Sequence, residues 1–454
     1  MTGKAMLDRF SQRDPLAVMT RAIVTSFLGE KLSQLFTEHR GRQYKRAIEF
    51  STLAVCMAEI ALGTLENRNQ AYAKYKEELA TSATAFYGKL NRTSPQLSEA
   101  VVSYSAEEAF SVLEHLGYQD WEVLKGFRVL ALDGNHLQKT EKRLKGARGL
   151  CAAPLPGTAV ARFDVQKQMF DRAYLLEDAH AQETVILDRV AEDLGKDDLV
   201  VADRNFCVTE FMRNLTLRGA SFVIRQNGRL KGELLKTRKK IGRCDTGMVY
   251  EQELEISKNG YSMIVRRITV ELDRPTRDGD KVIHVLTNVP TRLASAIAVA
   301  DTYLRRWEIE NAFYHLTTTL TCELKGNCHP RCALFLFCMA MFAYNCRQVL
   351  IAALYAVHDQ EEVDQISHFK VAKAIMLPMP GMLTAINETE WRRLTPHSRR
   401  GLASFLLEVS GYVRLEKYRK SVRGPKKPPP KRKRCKKGTH VSAYRLLNGG
   451  SQRC

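Results

Sequence analysis

Acidic charge is in short supply in this chain: 50 Asp and Glu stand against 70 Lys and Arg in 454 residues, a formal net charge of +20. That excess favours a polyanionic partner, nucleic acid before an anionic membrane surface. Long apolar runs are missing as well. The longest, Cys332 to Tyr344, gives way to Asn345, Cys346 and Arg347. It falls short of the roughly 20 residues that span a bilayer, so it reads as a buried core helix and no membrane partner is expected. Met1 to Arg13 is polar and mixed, without the apolar stretch of a secretory leader. The 11 cysteines are odd in number and scattered, which fits reduced thiols and a cytoplasmic chain rather than a disulfide framework. Cys322, Cys328, His329 and Cys332 lie close together, but finger spacing is absent and the cluster reads as chance rather than a zinc site. No internal repeat is visible.

What is present divides the chain by pattern. Residues 1–122 have few Gly or Pro and carry apolar residues at helical spacing, as in EFSTLAVCMAEIALGTLE; they predict a helical region with a possible role in binding DNA ends. From 123 to 227 the pattern becomes that of strands with intervening helices: FRVLALD, GTAVARFD, QMFDRAYLLE, DDLVVAD and SFVIRQN read as strands, with helices near 182–193 and in FMRNLTLRG. An antiparallel start followed by alternation predicts an α/β fold, a mixed sheet with helices on both faces. Residues 228–280 alternate polar and apolar around an Asn259-Gly260 turn signal, as a β-rich insertion does. KVIHVLTNV returns to a core strand within a second core segment, 281–345, and a long helix is expected to begin near Leu293. A helical region, 346–411, follows. Residues 412–454 hold the basic run RGPKKPPPKRKRCKK, which cannot bury a core and predicts an extended, disordered phosphate-binding arm.

Three acids stand out. Asp133 in ALDGNHL and Asp203 in VVADRNF each end an apolar strand, where a rigid sheet rim can aim a carboxylate. Two such acids repel unless a cation lies between them; an Asp in that position also serves as a turn or helix cap. In DTYLRRWEIENAFYHL, Tyr303, Arg306 and Glu310 are spaced by three and four residues and so share one helix face. Arg and Tyr suit phosphate oxygens. The bland alternative is an Arg306–Glu310 salt bridge at the helix surface.

Together DG at 133–134, DRNF at 203–206 and Y-x2-R-x3-E at 303, 306 and 310 resemble the DDE transposases of bacterial insertion sequences, of the IS-four type that includes the Tn-five and Tn-ten enzymes. The order, the intervening lengths and the β-rich insertion also match, over roughly residues 125–345. The resemblance implies an RNase H-like catalytic core in which Asp133, Asp203 and Glu310 hold two Mg²⁺ ions, with Mn²⁺ as a substitute. It implies cut-and-paste transposition: hydrolysis frees a 3′-OH at the element's end, and that 3′-OH then attacks target DNA. Its partners are double-stranded DNA, as terminal inverted repeats and target, and a second copy of the chain in the DNA complex; its place is the bacterial nucleoid.

Tyr303 and Arg306 are expected to orient the phosphate, with Arg204 and Lys139 adding backbone contacts and Lys142 and Arg143 as weaker members of the same group. The family pattern carries a Lys seven residues after the Glu; here that position is Thr317, whose hydroxyl can meet a phosphate without bringing charge. Trp307 is expected to pack in the core, and His136 either supports Asp133 or is structural. Two other functions stay open: an RNase H-like nuclease without strand transfer, and a non-catalytic DNA-binding protein derived from a transposase.

Overall fold

The computed structural model describes residues 3–29, 31–41, 48–138, 155–258, 260–276, 279–326, 329–396, 398–422, 424 and 442–448. Within these residues the strands are β1 (Arg128–His136), β2 (Thr158–Asp164), β3 (Met169–Leu176), β4 (Asp198–Ala202), β5 (Ser221–Arg225), β6 (Glu233–Cys244), β7 (Gly247–Lys258), β8 (Tyr261–Leu272) and β9 (Val282–Thr287). They form one mixed sheet in the order β3-β2-β1-β4-β5-β9-β8-β7-β6. The first three strands are antiparallel neighbours; β4 and β5 then run parallel to β1, and β9 returns antiparallel to β5.

The apolar strands owe their composition to burial on both faces. Along β1, Val129 and Ala131 point into one core while Leu130 and Leu132 point into the other; β4 repeats this with Leu199 and Val201 against Val200 and Ala202. One face is covered by the N-terminal helices and the Pro330–Tyr355 helix, the other by the Leu187–Glu192 and Thr209–Leu217 helices. The expected mixed sheet flanked by helices is therefore present.

The β-rich segment is continuous with this sheet. β7 and β8 pair from Gly247↔Leu272 to Lys258↔Tyr261, a two-residue hairpin with Gly260 at φ 75°, and β8 pairs with β9. The meander thus lengthens the main sheet rather than forming a separate module, because β9 offers its free edge to β8.

The apolar run at 332–344 lies inside a longer helix, Pro330–Tyr355, and is the centre of the larger core. This helix has the length and composition to cross a membrane, but 94% of its most apolar window is buried within the protein. Its one buried amide ties three elements together. Asn345 Nδ2 donates to Ser105 Oγ at 2.9 Å and to Phe170 O at 2.8 Å, and Asn345 Oδ1 accepts from Phe170 N at 3.0 Å. Asn345→Ala strands the β3 backbone groups away from water, so a loss of about 2–4 kcal/mol is expected. Urea unfolding checks this; an unchanged midpoint rules out a structural role for the amide.

The composition break at Tyr412 is not a structural boundary. Val413 and Leu415 are buried, and Arg419 bridges to Ile366. Ser442 bridges to Leu155, and Arg445 Nε lies 2.7 Å from Asp178. The expectation of an extended arm therefore fails for 412–422, where two apolar side chains suffice to dock a basic segment. The Lys/Arg run of 425–441 lies outside the described residues.

Candidate active site

In the parallel pair β1–β4, Leu132 faces Ala202. Asp133, within β1, and Asp203, just beyond the end of β4, occupy the next position along each segment. Their local roles differ. Asp133 Oδ1 accepts from Gly134 N at 2.9 Å, whereas the Asp203 carboxylate accepts from Arg204 N and caps the Arg204–Phe206 turn. The Trp307–Thr318 helix packs against β1 and supplies Glu310.

The expected continuous helix through 303–310 is broken. Ala296–Leu304 and Trp307–Thr318 are separate helices joined through Arg305 and Arg306. Over the joint the backbone bonds span three residues: Arg305 N to Thr302 O at 3.0 Å, Arg306 N to Tyr303 O at 3.1 Å and Glu308 N to Arg305 O at 3.0 Å. Such overwinding tightens the turn. It turns Arg306 inward, 9% exposed, and leaves Trp307 out, 54% exposed, so the expectation that Trp307 packs in the core is corrected. The intended cluster survives: the Arg306 guanidinium pairs with Glu310, lies 5.9 Å from the Tyr303 ring and 5.2 Å from the Trp307 ring. Its Nε is buried with no hydrogen-bond partner.

Asp203, Arg204, Tyr303, Arg306, Trp307 and Glu310 line one cleft of about 770 Å³. Arg225 also lines it; Arg225 Nη2 lies 2.6 Å from Asp280. Tyr303 is buried, which raises its hydroxyl above the ordinary value. Burial pushes Asp133 up to about 7; Arg306 and the Gly134 N–H oppose this, while Glu310 and Glu183 add to it. Asp133 thus feels Glu310 and Arg306 from the neighbouring helix.

Glu183 was not visible in the sequence, where it is one acid in a segment without a motif. It sits half-buried at the start of the short Glu183–Ile186 turn, and burial, then Asp203, raise its carboxyl. A Cβ added to Gly134 would lie 1.9 Å from Glu183 Oε1. The glycine after Asp133 therefore leaves the space that a fourth carboxylate occupies.

Other expected contributors are less central. Thr317 is exposed, and its hydroxyl donates within its own helix, to Tyr314 O at 2.9 Å; it is not among the cleft-lining residues. His136 Nδ1 and Thr158 Oγ1 are 2.7 Å apart across β1 and β2. Lys139, Lys142 and Arg143 lie outside the described residues, as does Cys328.

Among the described residues, no three His, Cys, Asp or Glu side chains stand close enough to hold a metal ion as arranged. Arg306 engages Glu310 instead. The chemistry of the donors nevertheless fits a hard divalent cation: Asp133, Asp203, Glu310 and Glu183 offer carboxylate oxygens only. The rise of Asp133 records its burial first, with Glu310 and Glu183 as smaller additions.

Residues 163–346 match the family model described as the transposase DDE domain. The match takes in Asp203 and Glu310 and begins after Asp133. No curated protein matches the sequence. Among solved structures, a cryo-EM structure of the piggyBac transposase synaptic complex with hairpin DNA is similar at 10% identity and a TM-score of 0.41, over 85% of this chain and 84% of that one.

Proposed function

We propose that this chain is a DNA transposase in which Asp133, Asp203 and Glu310 are the catalytic acids of an RNase H-like core. The observation that carries the reading is the parallel pairing of β1 and β4, which sets Asp133 next to the end of β4 at Asp203, with Asp203, Tyr303, Arg306 and Glu310 lining one cleft. The match of 163–346 to a transposase DDE domain supports it independently.

The residues divide the work. Arg306 has a buried, unpartnered Nε and offers a planar fork to the oxygens of the scissile phosphate; Tyr303 adds a hydroxyl from the same wall. Asp133, Asp203 and Glu310, with Glu183 as an addition from the structure, would hold Mg²⁺, Mn²⁺ being the substitute. When bound, paired divalent ions supply activation of the attacking oxygen and stabilisation of the leaving oxygen. Glu310, now paired with Arg306, would have to be shared between that guanidinium and a bound cation. Arg204 and Arg225 also line the cleft and favour a DNA backbone over a neutral substrate, Arg225 from its pair with Asp280.

The test is Mg²⁺-dependent cleavage of the DNA flanking the chain's own element, followed by joining of a pre-cut 3′-OH end to a target duplex. Cleavage with joining supports transposition. Cleavage without joining replaces it with the nuclease reading, and neither activity, with DNA binding retained, leaves the non-catalytic one.

Glu183 has its own check. In Gly134→Ala the new methyl meets only the flexible end of Glu183, so the fold should survive while that carboxylate is displaced. We expect nicking to fall roughly 10- to 100-fold, as for losses around a metal site, with the melting temperature nearly unchanged. Full activity in Gly134→Ala removes Glu183 from the site.

A further inference from the structure

The meander ends the sheet on an edge, and that edge is basic. β6 is the last strand in the order, and among the described residues β7 is its only neighbour. The sequence of β6, ELLKTRKKIGRC, holds five Lys and Arg against one Glu, and most of its residues are exposed. Its pairing with β7 is irregular. Leu235 faces Glu253 and Lys239 faces Glu251, so β6 takes four steps where β7 takes two, and a second irregularity lies between Lys240 and Gly242. Lys236 takes the left-handed backbone conformation, φ 59°, which a residue with a Cβ rarely adopts. Bulges of this kind re-aim the side chains of an edge strand.

The charge on this edge is only partly neutralised. Lys236, Arg238 and Arg243 pair with Glu253, Glu271 and Asp273 at the surface, where such pairs contribute little and a phosphate can displace the carboxylate. Lys239 and Lys240 are exposed and enter no ion pair among the described residues. Lysine on an edge strand also discourages pairing with a second sheet; the position of this edge relative to the cleft argues for more. Asp245 and Thr246, which follow β6, line the catalytic cleft, as does the exposed Arg274 after β8. The Ala296–Leu304 helix, which carries Tyr303, packs against β6, and a Cβ on Gly242 would lie 3.1 Å from Ile297 Cδ1. The edge is thus fixed to the helix that presents Tyr303. The stretch of β7 that faces Arg243 to Leu235, Met248 to Glu253, is roughly 17 Å long, the rise of about five base pairs.

We propose that β6 is a contact surface for the phosphate backbone of duplex DNA leaving the catalytic cleft, with Lys239 and Lys240 as its central cations and Arg274 as the step between edge and cleft. Consecutive strand residues point to opposite faces, so these two lysines set charge along the edge rather than on one face of the sheet. β6 carries no aromatic side chain on which an unpaired base could stack, and lysine meets phosphate charge rather than base identity. A duplex backbone is therefore the occupant that fits. The inference rests on the transposase reading for where the DNA comes from; the contact itself is tested without it.

The experiment measures binding of the full chain to a fluorescent DNA duplex by anisotropy, in a chelator, at a series of salt concentrations. Each lysine–phosphate contact adds about 0.9 to the slope of log affinity against log salt. The Lys239→Gln/Lys240→Gln double variant should therefore lose about 1.8 of that slope and bind on the order of tenfold more weakly at 0.1 M salt, with its melting temperature unchanged. Lys239→Arg/Lys240→Arg keeps the charge and should keep the slope. Lys125 and Lys196 are exposed at the opposite end of the sheet, before the starts of β1 and β4; replacing both by Gln removes the same charge and should leave the slope as in the wild type. The proposal is overturned by an unchanged slope in Lys239→Gln/Lys240→Gln, by an equal fall in the Lys125/Lys196 variant, or by a wild type that does not bind duplex DNA. Nicking in Mg²⁺ separates this inference from the transposase reading. A wild type that shows the expected slopes but never nicks loses the catalytic reading and keeps the contact surface. Where it nicks, the Lys239/Lys240 variant should need roughly tenfold more DNA for half its maximal rate and still reach the wild-type rate at saturation.

Discussion

Replacing Asp133, Asp203 or Glu310 by its amide should lower Mg²⁺-dependent nicking by at least about 10³-fold while leaving DNA binding intact. The magnitude follows from the role proposed for these side chains. An amide keeps the shape of the carboxylate but loses the charge that holds a divalent cation, and such ions supply several kcal/mol of transition-state stabilisation, about 1.4 kcal/mol for each factor of ten. Binding should persist because it rests on Arg and Lys meeting phosphates, and loss of a negative charge from the cleft cannot weaken that. Glu310→Gln has a distinct signature. It removes the partner of Arg306, so DNA affinity should hold steady or rise slightly as nicking disappears. A Glu310→Gln protein that nicks at the wild-type rate would end the catalytic reading.

The second large effect concerns stability. Asp133→Asn should stabilise the metal-free protein at pH 8 by on the order of 3 kcal/mol, although it abolishes activity. Burial, reinforced by Glu310 and Glu183, raises Asp133 in the folded chain to about 7, against an unfolded value of about 3.9. The fold thus favours the protonated acid. Its contribution is fully present below about pH 4 and is lost as pH rises through about 7. Asparagine resembles the protonated form at every pH, so variant and wild type should coincide at pH 4 and diverge progressively to pH 8. Mg²⁺ at pH 8 should then narrow the gap by stabilising only the wild type. Denaturant unfolding at several pH values in a chelator gives the comparison; equal stability at pH 8 would show that burial does not hold Asp133 towards its protonated form.

Both effects arise at a rim that the sequence located in part. The apolar runs that stop at Asp133 and Asp203 were legible because two-sided burial demands an unbroken apolar run, although β1 itself continues to His136. The Tyr303, Arg306 and Glu310 spacing was legible as one surface of a helix. The tightened joint at Arg305–Arg306 was not, since three-residue bonding leaves no compositional mark. Its consequence, Arg306 inside and Trp307 outside, depends on how the two short helices meet β1 and the cleft.

Glu183 marks the same limit. It belongs to no motif and matters through a residue distant in the chain, since Gly134 leaves room for it. The basic tail shows the reverse error. Its composition suggests an extended arm from Tyr412, yet Val413 and Leu415 find a place in the core.

From the sequence alone came the alternation of strands and helices, the expectation of a polyanionic partner and the three acids proposed as catalytic, because periodicity, net charge and residue chemistry are local or additive properties. The tertiary structure alone decided which carboxylates lie near one another and which arginine faces inward. Those are properties of distance and burial, and they exist only once segments far apart in the chain have packed together.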